Sequence, residues 1–376
     1  MTVAKSLLEA ALPAIVSFLI SGPSPSELLG AMVCRVSIRT GAINAAVALS
    51  PSMWAYTTSS GDAVFIADCK THATRKLPLG GSATGTGGRQ WHLYESETGA
   101  IAVNGYTGSA THIRNDGSLS ALAPVTTSTQ TRRLAAIDAS GRQYYVQAKQ
   151  FAIDDRGREV RLWLYAESLS VERVVPGEKA TATLAVLRGQ AQVYREGDIS
   201  IDGRTVRAVM VSAFRSEEQV AVAQDGFVAL VRANPYRVEW ITSSGSRTVS
   251  ERLPDRQITV DSGQRDVAAH AGASQWGPGI RRADASSAQG APIPSFGLDA
   301  VHIVSREAVA IELALDAREG SRIYHVVSRS GRLSGRVTFR RSESLVGCNA
   351  RSIAVWSPDT TGGGLLSIFA WKRGTF

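Results

Sequence analysis

Three histidines stand twenty residues apart, His72, His92 and His112, and this spacing is the first pattern in the chain with a chemical meaning. One imidazole per strand pair would suit a metal, but no second ligand type repeats with them, and His270, His302 and His325 fall outside the interval. A polar strand face accounts for them better. Asp62, Asp68, Asn104, Asp138, Asp225 and Asn234 carry the oxygens that calcium accepts, yet nearly all lie at or beside hairpin turns, where Asp and Asn serve the backbone. The run from Asp154 to Glu159 lacks the alternating ligands of a calcium loop and holds two arginines. No Gly-x-Ser-x-Gly elbow is present, and no placement of Ser, His and Asp suggests a triad. These residues point to no catalytic centre, no metal and no cofactor.

Charge is the stronger signal. Lys and Arg number 41 against 33 Asp and Glu, a formal net charge of +8. Almost all of that excess falls after Gly320. There Arg322 is joined by Arg329, Arg332, Arg336, Arg340, Arg341, Arg351, Lys372 and Arg373, while only Glu343 and Asp359 oppose them. These last eight cations read as a basic face that meets a partner. Aromatic residues for base stacking are sparse among them, and Trp356 and Trp371 sit in strand-like phrases that belong to a core. Nucleic acid is therefore not favoured, and an anionic protein or lipid surface is.

The N-terminus is apolar from Ala10 to Ile20, broken by Pro13, and too short to span a bilayer as a helix. As a signal peptide it is weak, with one Lys offset by an acid and no small-x-small cleavage site after it. A lipoprotein signal at Cys34 fails because Met32 and Val33 are too bulky. The segment reads as a retained arm, with Leu12, Ile15, Val16, Phe18, Leu19 and Ile20 contacting a membrane or partner, and this favours the cytoplasmic side over the periplasmic one. Cys34, Cys69 and Cys348 are odd in number with no paired spacing, so buried free thiols are expected.

The elements that must position these groups change period early. Residues 1–33 predict two short helical pieces, Ser6 to Leu12 and Glu27 to Met32 with Ser26 as cap. Beyond them the pattern alternates. Strands are predicted at Ala45–Leu49, Met53–Thr57, Ala63–Cys69, Ala100–Gly105, Ala110–Arg114, Leu134–Asp138, Gln143–Ala148 and Val160–Ala166, with no helical stretch between them that could cross over a parallel sheet. Hairpin turns recur at Asp-Gly and Ser-Gly pairs, among them Asp155-Arg156-Gly157, Asp202-Gly203, Asp225-Gly226, Ser244-Gly245 and Ser330-Gly331.

The clearest unit runs from Gln219 to Pro254, four strand-like runs separated by three turns. In it Phe227 to Val231 is apolar throughout, whereas Tyr236 to Trp240 alternates, setting Arg237 and Glu239 on a polar face. Such a unit buries both faces only by stacking on copies of itself, which is the logic of a propeller blade. Two stretches depart from the pattern: the Gly-rich run Gly80 to Gly88, and a polar insertion over about 255–297 long enough to serve as a partner-binding arm.

Together with the unit from Asp299 to Phe339 and the ending from Ser344 to Lys372, this blade resembles bacterial six-bladed β-propeller proteins of the TolB-like and NHL-like kind. The resemblance covers roughly residues 35–376 and implies an all-β fold of six blades, with seven as the alternative, behind a short helical arm. It also implies that a strand from the N-terminus completes the last blade, and Met32 to Arg39 suits that role. Propellers host unrelated activities, so the fold carries no function. The expected function is a non-catalytic scaffold, an extrinsic subunit stabilising a larger membrane protein assembly such as a respiratory or photosynthetic complex. The competing class is a calcium-dependent hydrolase or lactonase with its site in the propeller funnel.

Overall fold

A computed structural model describes residues 28–372 except 60, 80–90, 106, 126–127, 130–131, 148, 156–157, 165–167, 179, 189–194, 202–203, 211–217, 256–257, 259–294, 315 and 317–318. The described residues form strands and turns alone, arranged as a six-bladed β-propeller.

Strand β1 (Leu29–Ile38) is set aside by the chain and used last. Blade 1 holds β2 (Ile43–Ser50), β3 (Met53–Thr58), β4 (Val64–Asp68) and β5 (Ala73–Lys76), and blade 2 holds β6 (Trp91–Ser96), β7 (Gly99–Asn104), β8 (Ala110–Arg114) and β9 (Leu119–Leu122). Blade 3 begins with the short β10 (Ser128–Thr129), then β11 (Arg132–Ile137) and β12 (Gln143–Gln147). The hairpin β13 (Lys149–Asp155) and β14 (Arg158–Leu164) leaves the blade there, before β15 (Ser168–Val174) and β16 (Thr181–Arg188) complete it. A second hairpin, β17 (Arg195–Ile201) with β18 (Arg204–Met210), precedes blade 4, which is β19 (Gln219–Val222), β20 (Val228–Ala233), β21 (Tyr236–Ile241) and β22 (Arg247–Val249). Blade 5 is β23 (Phe296–Ser305), β24 (Ala308–Leu313), β25 (Ser321–Ser328) and β26 (Leu333–Arg340); blade 6 is β27 (Ser344–Cys348), β28 (Ser352–Pro358) and β29 (Gly364–Trp371).

Ring closure follows the expectation. β1 pairs antiparallel with β29, from Leu29 opposite Trp371 to Ile38 opposite Gly364, and becomes the fourth strand of blade 6. The helix expected over Glu27–Met32 is replaced from Leu29 onward by this strand, because β29 offers a free ladder edge that local capping at Ser26 cannot match. The ring thus takes in residues ahead of 34. The first helical piece lies outside the described residues.

Six apolar clusters, one at each blade interface, hold the ring together. A large aromatic residue sits in each: Trp54 between blades 6 and 1, Trp91 between 1 and 2, Tyr145 between 2 and 3, Tyr144 between 3 and 4, Trp240 between 4 and 5, and Tyr324 between 5 and 6. The inner strands approach so closely that a Cβ on Gly347 of β27 would lie 1.9 Å from the carbonyl oxygen of Ala46 on β2, so only glycine fits there.

The thiols correct the sequence reading. Cys34 of β1 and Cys69 at the end of β4 form a disulfide, their Cα atoms 5.6 Å apart, and Cys348 alone is free. The pairing joins residues that meet only when β1 docks into blade 6 beside blade 1, where His72 Nδ1 also lies 2.9 Å from the Arg35 carbonyl oxygen.

Candidate functional site

The strand order gives the ring two unlike faces. On one, the turn face, first strand turns into second and third into fourth, and no connection is longer than residues 175–180. On the other lie the connections 77–90, 148–167, 189–218 and 250–295, and so both hairpins and the long insertion. The strands β13 and β18 lie against each other above this second face. The insertion itself, like Gly80 to Gly88, is largely outside the described residues; its base closes where Ser295 Oγ donates to Asp255 Oδ1 at 2.6 Å.

The turn face is tied by charge. Asp138, buried, accepts from Tyr144 Oη at 2.8 Å, from Arg142 Nε at 2.6 Å and from two backbone N–H groups of its own turn. Arg142 Nη2 continues to the Asp225 carbonyl at 3.2 Å, and Arg329 grips the Asp225 carboxylate at 3.0 and 3.2 Å, so blades 3, 4 and 5 are joined in one chain of bonds. The Arg329 guanidinium also lies 3.6 Å from the Phe227 ring centroid and 5.6 Å from that of Trp240. Gly226 in this turn has φ +83°, and a Cβ there would strike Arg142, Tyr144 and Asp138, which is why the turn needs Gly after Asp225.

Near the axis at this face, groups from several blades converge. Gln224 Nε2 donates across to the Ser96 carbonyl at 3.5 Å, and Arg306 of blade 5 reaches Glu97 of blade 2 at 4.0 Å. Burial pushes the Glu95 carboxyl up to about 7, with the Arg306 charge opposing the rise. The Cys348 thiol, also raised chiefly by burial, donates to the Ile303 carbonyl at 3.0 Å. His112 Nε2 meets Ser96 Oγ at 3.2 Å and Thr98 Oγ1 at 3.1 Å, a Ser and His pairing that sequence spacing does not reveal because it crosses from β6 to β8. The shared imidazole edge closes the β6–β7 turn.

The calcium-type candidates are turn residues. Asp68 accepts from Lys70 N, Asn104 from Thr107 N, and Asp138 and Asp225 act as described, while Asn234 precedes the cis proline Pro235 between β20 and β21. Among the described residues no three His, Cys, Asp or Glu side chains gather as a metal site. His72 sits at an outer turn of blade 1 while His92 and His112 share blade 2, so the interval of twenty brings no imidazole cluster together.

The basic positions divide between the faces. Arg332, Arg351 and Lys372 are exposed at the turn-face ends of blades 5 and 6, where residue 28 enters the ring and its carbonyl accepts from Lys372 N. Arg336 is exposed midway along β26, and Arg340 and Arg341 stand at the opposite end of that strand. Arg329, at 18% side-chain exposure, is spent on Asp225 and the aromatic rings. Arg373 and the arm positions Leu12, Ile15, Val16, Phe18, Leu19 and Ile20 lie outside the described residues. Met32 and Val33, 47% and 52% exposed on β1, continue the apolar character of the chain entering there. No helix among the described residues is long and apolar enough to cross a membrane.

A second polar centre lies between blades 3 and 4. On the polar face of β21 Glu239 is buried, held by Arg232 at 2.9 Å and Arg237 at 2.7 Å, with Arg247 at 4.0 Å. The guanidinium hydrogen bonds hold its carboxyl below the usual range although burial opposes them. Arg232 also pairs with Glu218 and donates to the Val186 carbonyl at 2.8 Å, while Glu218 accepts from Arg188 N at 2.6 Å. These residues line a half-open cleft of about 640 Å³ whose floor is the outer strand β16.

No family model matches the chain, and no curated protein matches it. Among solved structures it is similar to virginiamycin B lyase from Staphylococcus aureus, at 8% identity, 89% of this chain, 98% of that one and a TM-score of 0.41. A streptogramin B lyase shares 8% identity over 88% of this chain and 94% of its own, with a TM-score of 0.38. The PQQ-bound aldose sugar dehydrogenase from Streptomyces coelicolor shares 10% over 93% and 99%, with a TM-score of 0.32. Likeness at this level carries no activity across.

Proposed function

We propose that this propeller is a non-catalytic interaction platform, an extrinsic subunit held on a larger membrane protein assembly. The observation that supports this most is the division between the faces. One face is tied across blades by the Arg329–Asp225 ion pair and the Arg142 bond to the Asp225 carbonyl, and the other carries every long connection, a design that holds long elements on a rigid base. The cations Arg332, Arg351 and Lys372 stand where the chain from the apolar N-terminal segment joins the ring, so the segment and the charges would meet an anionic surface side by side.

The competing reading, a calcium-dependent hydrolase or lactonase, needs carboxylates converging at the axis. Glu95 and Glu97 lie there with Arg306, whose charge opposes a divalent cation, and this weighs for the platform. Sequence favoured the cytoplasmic side of the membrane; the Cys34–Cys69 disulfide weighs for an oxidising compartment instead. Deleting residues 2–25 from the chain in its native cell tests the platform directly. The protein should leave the membrane fraction, and unchanged co-fractionation overturns the reading.

A further inference from the structure

We propose that the cleft between blades 3 and 4 binds an extended acidic peptide segment of a partner protein; this rests on the platform reading and names the chemistry of one contact. The cleft is positively charged from within. Three guanidiniums, those of Arg232, Arg237 and Arg247, share it with two carboxylates, Glu218 and Glu239, and Arg188 adjoins them. Arg232 is held on three sides, bonded to both carboxylates and to the Val186 carbonyl. Arg237 and Arg247 are not. Their side chains are 36% and 50% exposed, both lean on the same Glu239, and Arg247 does so only at 4.0 Å. Arg237 Nε is buried without a hydrogen-bond partner, so the guanidinium spends only part of its fork on Glu239. A carboxylate entering between Arg237 and Arg247 would bond the Nη donors that Glu239 and the Leu184 carbonyl leave unused, at no cost to the Glu239 pairing with Arg232.

The shape argues for a chain rather than a small anion. The cleft follows β16 from Thr183 to Arg188, a length of about 16 Å at the rise of an extended strand. Its floor offers the Leu184 side chain and the carbonyl edge of β16, where Val186 accepts from Arg232, and Pro235 closes part of the opposite wall. An extended segment along that edge would bring acidic side chains to Arg237 and Arg247 and rest an apolar one on Leu184. At the end toward the second face the cleft stops where Arg188 N meets Glu218, the two residues that flank the β17–β18 connection.

The test is fluorescence anisotropy of the full chain with a fluorescein-labelled ten-residue peptide of alternating Glu and Val. Saturable binding is expected, with Kd raised tenfold or more when Gln replaces Glu in the peptide and again in the Arg237→Gln, Arg247→Gln double variant. Absent binding, equal affinity for the neutral peptide, equal affinity in the double variant, or displacement by inorganic phosphate at equal concentration would overturn the proposal. Membrane co-fractionation of the wild type, measured alongside, separates the two readings: if it persists while the peptide result fails, the cleft proposal falls and the platform stands.

Discussion

On the turn face of the ring, short connections bring Asp138, Arg142, Asp225 and Arg329 into one continuous set of bonds across three blades, packed beneath by Phe227 and Trp240. On the opposite face lie the connections 148–167, 189–218 and 250–295, and the first two each contain a hairpin outside the blade sheets. The same six-fold repeat therefore supports two different demands. Stability is concentrated where turns are short and charges are shared between blades, and variation is placed where a change in length costs the ring little.

Three measurements would break or sharpen that contrast. The largest effect is expected from Trp240→Ala, since Trp240 is buried at the interface of blades 4 and 5 and its Nε1 donates to the Ser328 carbonyl at 3.1 Å. Removing it should cost about 3–5 kcal/mol in urea unfolding, and a loss under about 1 kcal/mol would deny the turn face its role. Glu95→Gln comes next. The folded carboxyl is raised from 4.5 to about 7, so the folded protein binds the proton more tightly than the unfolded chain, and stability falls as pH rises through that window. The amide should remove this slope and raise stability at pH 8 by on the order of 2 kcal/mol; an unchanged slope would show that Glu95 does not titrate at the axis. The smallest effect is expected from replacing residues 190–214 by a short Gly-Ser linker, which removes the β17–β18 hairpin. A change below about 1 kcal/mol is anticipated from thermal or urea unfolding, and a large loss would mean that the second face also bears the ring.

Much of this architecture was legible in the chain because it is written locally. The alternation and Gly-containing turns of Gln219 to Pro254 give β19 to β22, while the closing strand at Met32 to Arg39 is what the resemblance to propellers implies, found as β1. What failed was what depends on the ring. Ser26 suggested a helix through Met32, but the free edge of β29 captures those residues as strand. Cys34 and Cys69 have no telling spacing, since they meet only through closure between blades 6 and 1. Alternation puts Arg237 and Glu239 on a polar face but does not report that the neighbouring blade buries Glu239. Asp155-Arg156-Gly157 and Asp202-Gly203 were recognised as hairpin turns, yet nothing local says that these hairpins stand outside the blades. The axial contacts of Glu97 and Gln224 are equally invisible, being made between blades that are not neighbours.

Closure by β1 also sets how the molecule answers to force. The strand enters at Leu29 beside Trp371 and runs the height of blade 6, with Cys34 midway and bonded into blade 1. Tension on the N-terminal segment would peel the pairs from Leu29 to Met32 one after another and then meet a covalent stop. Past that point the load passes to blades 6 and 1 together, so a tether at this end would pull on the whole ring instead of unravelling it.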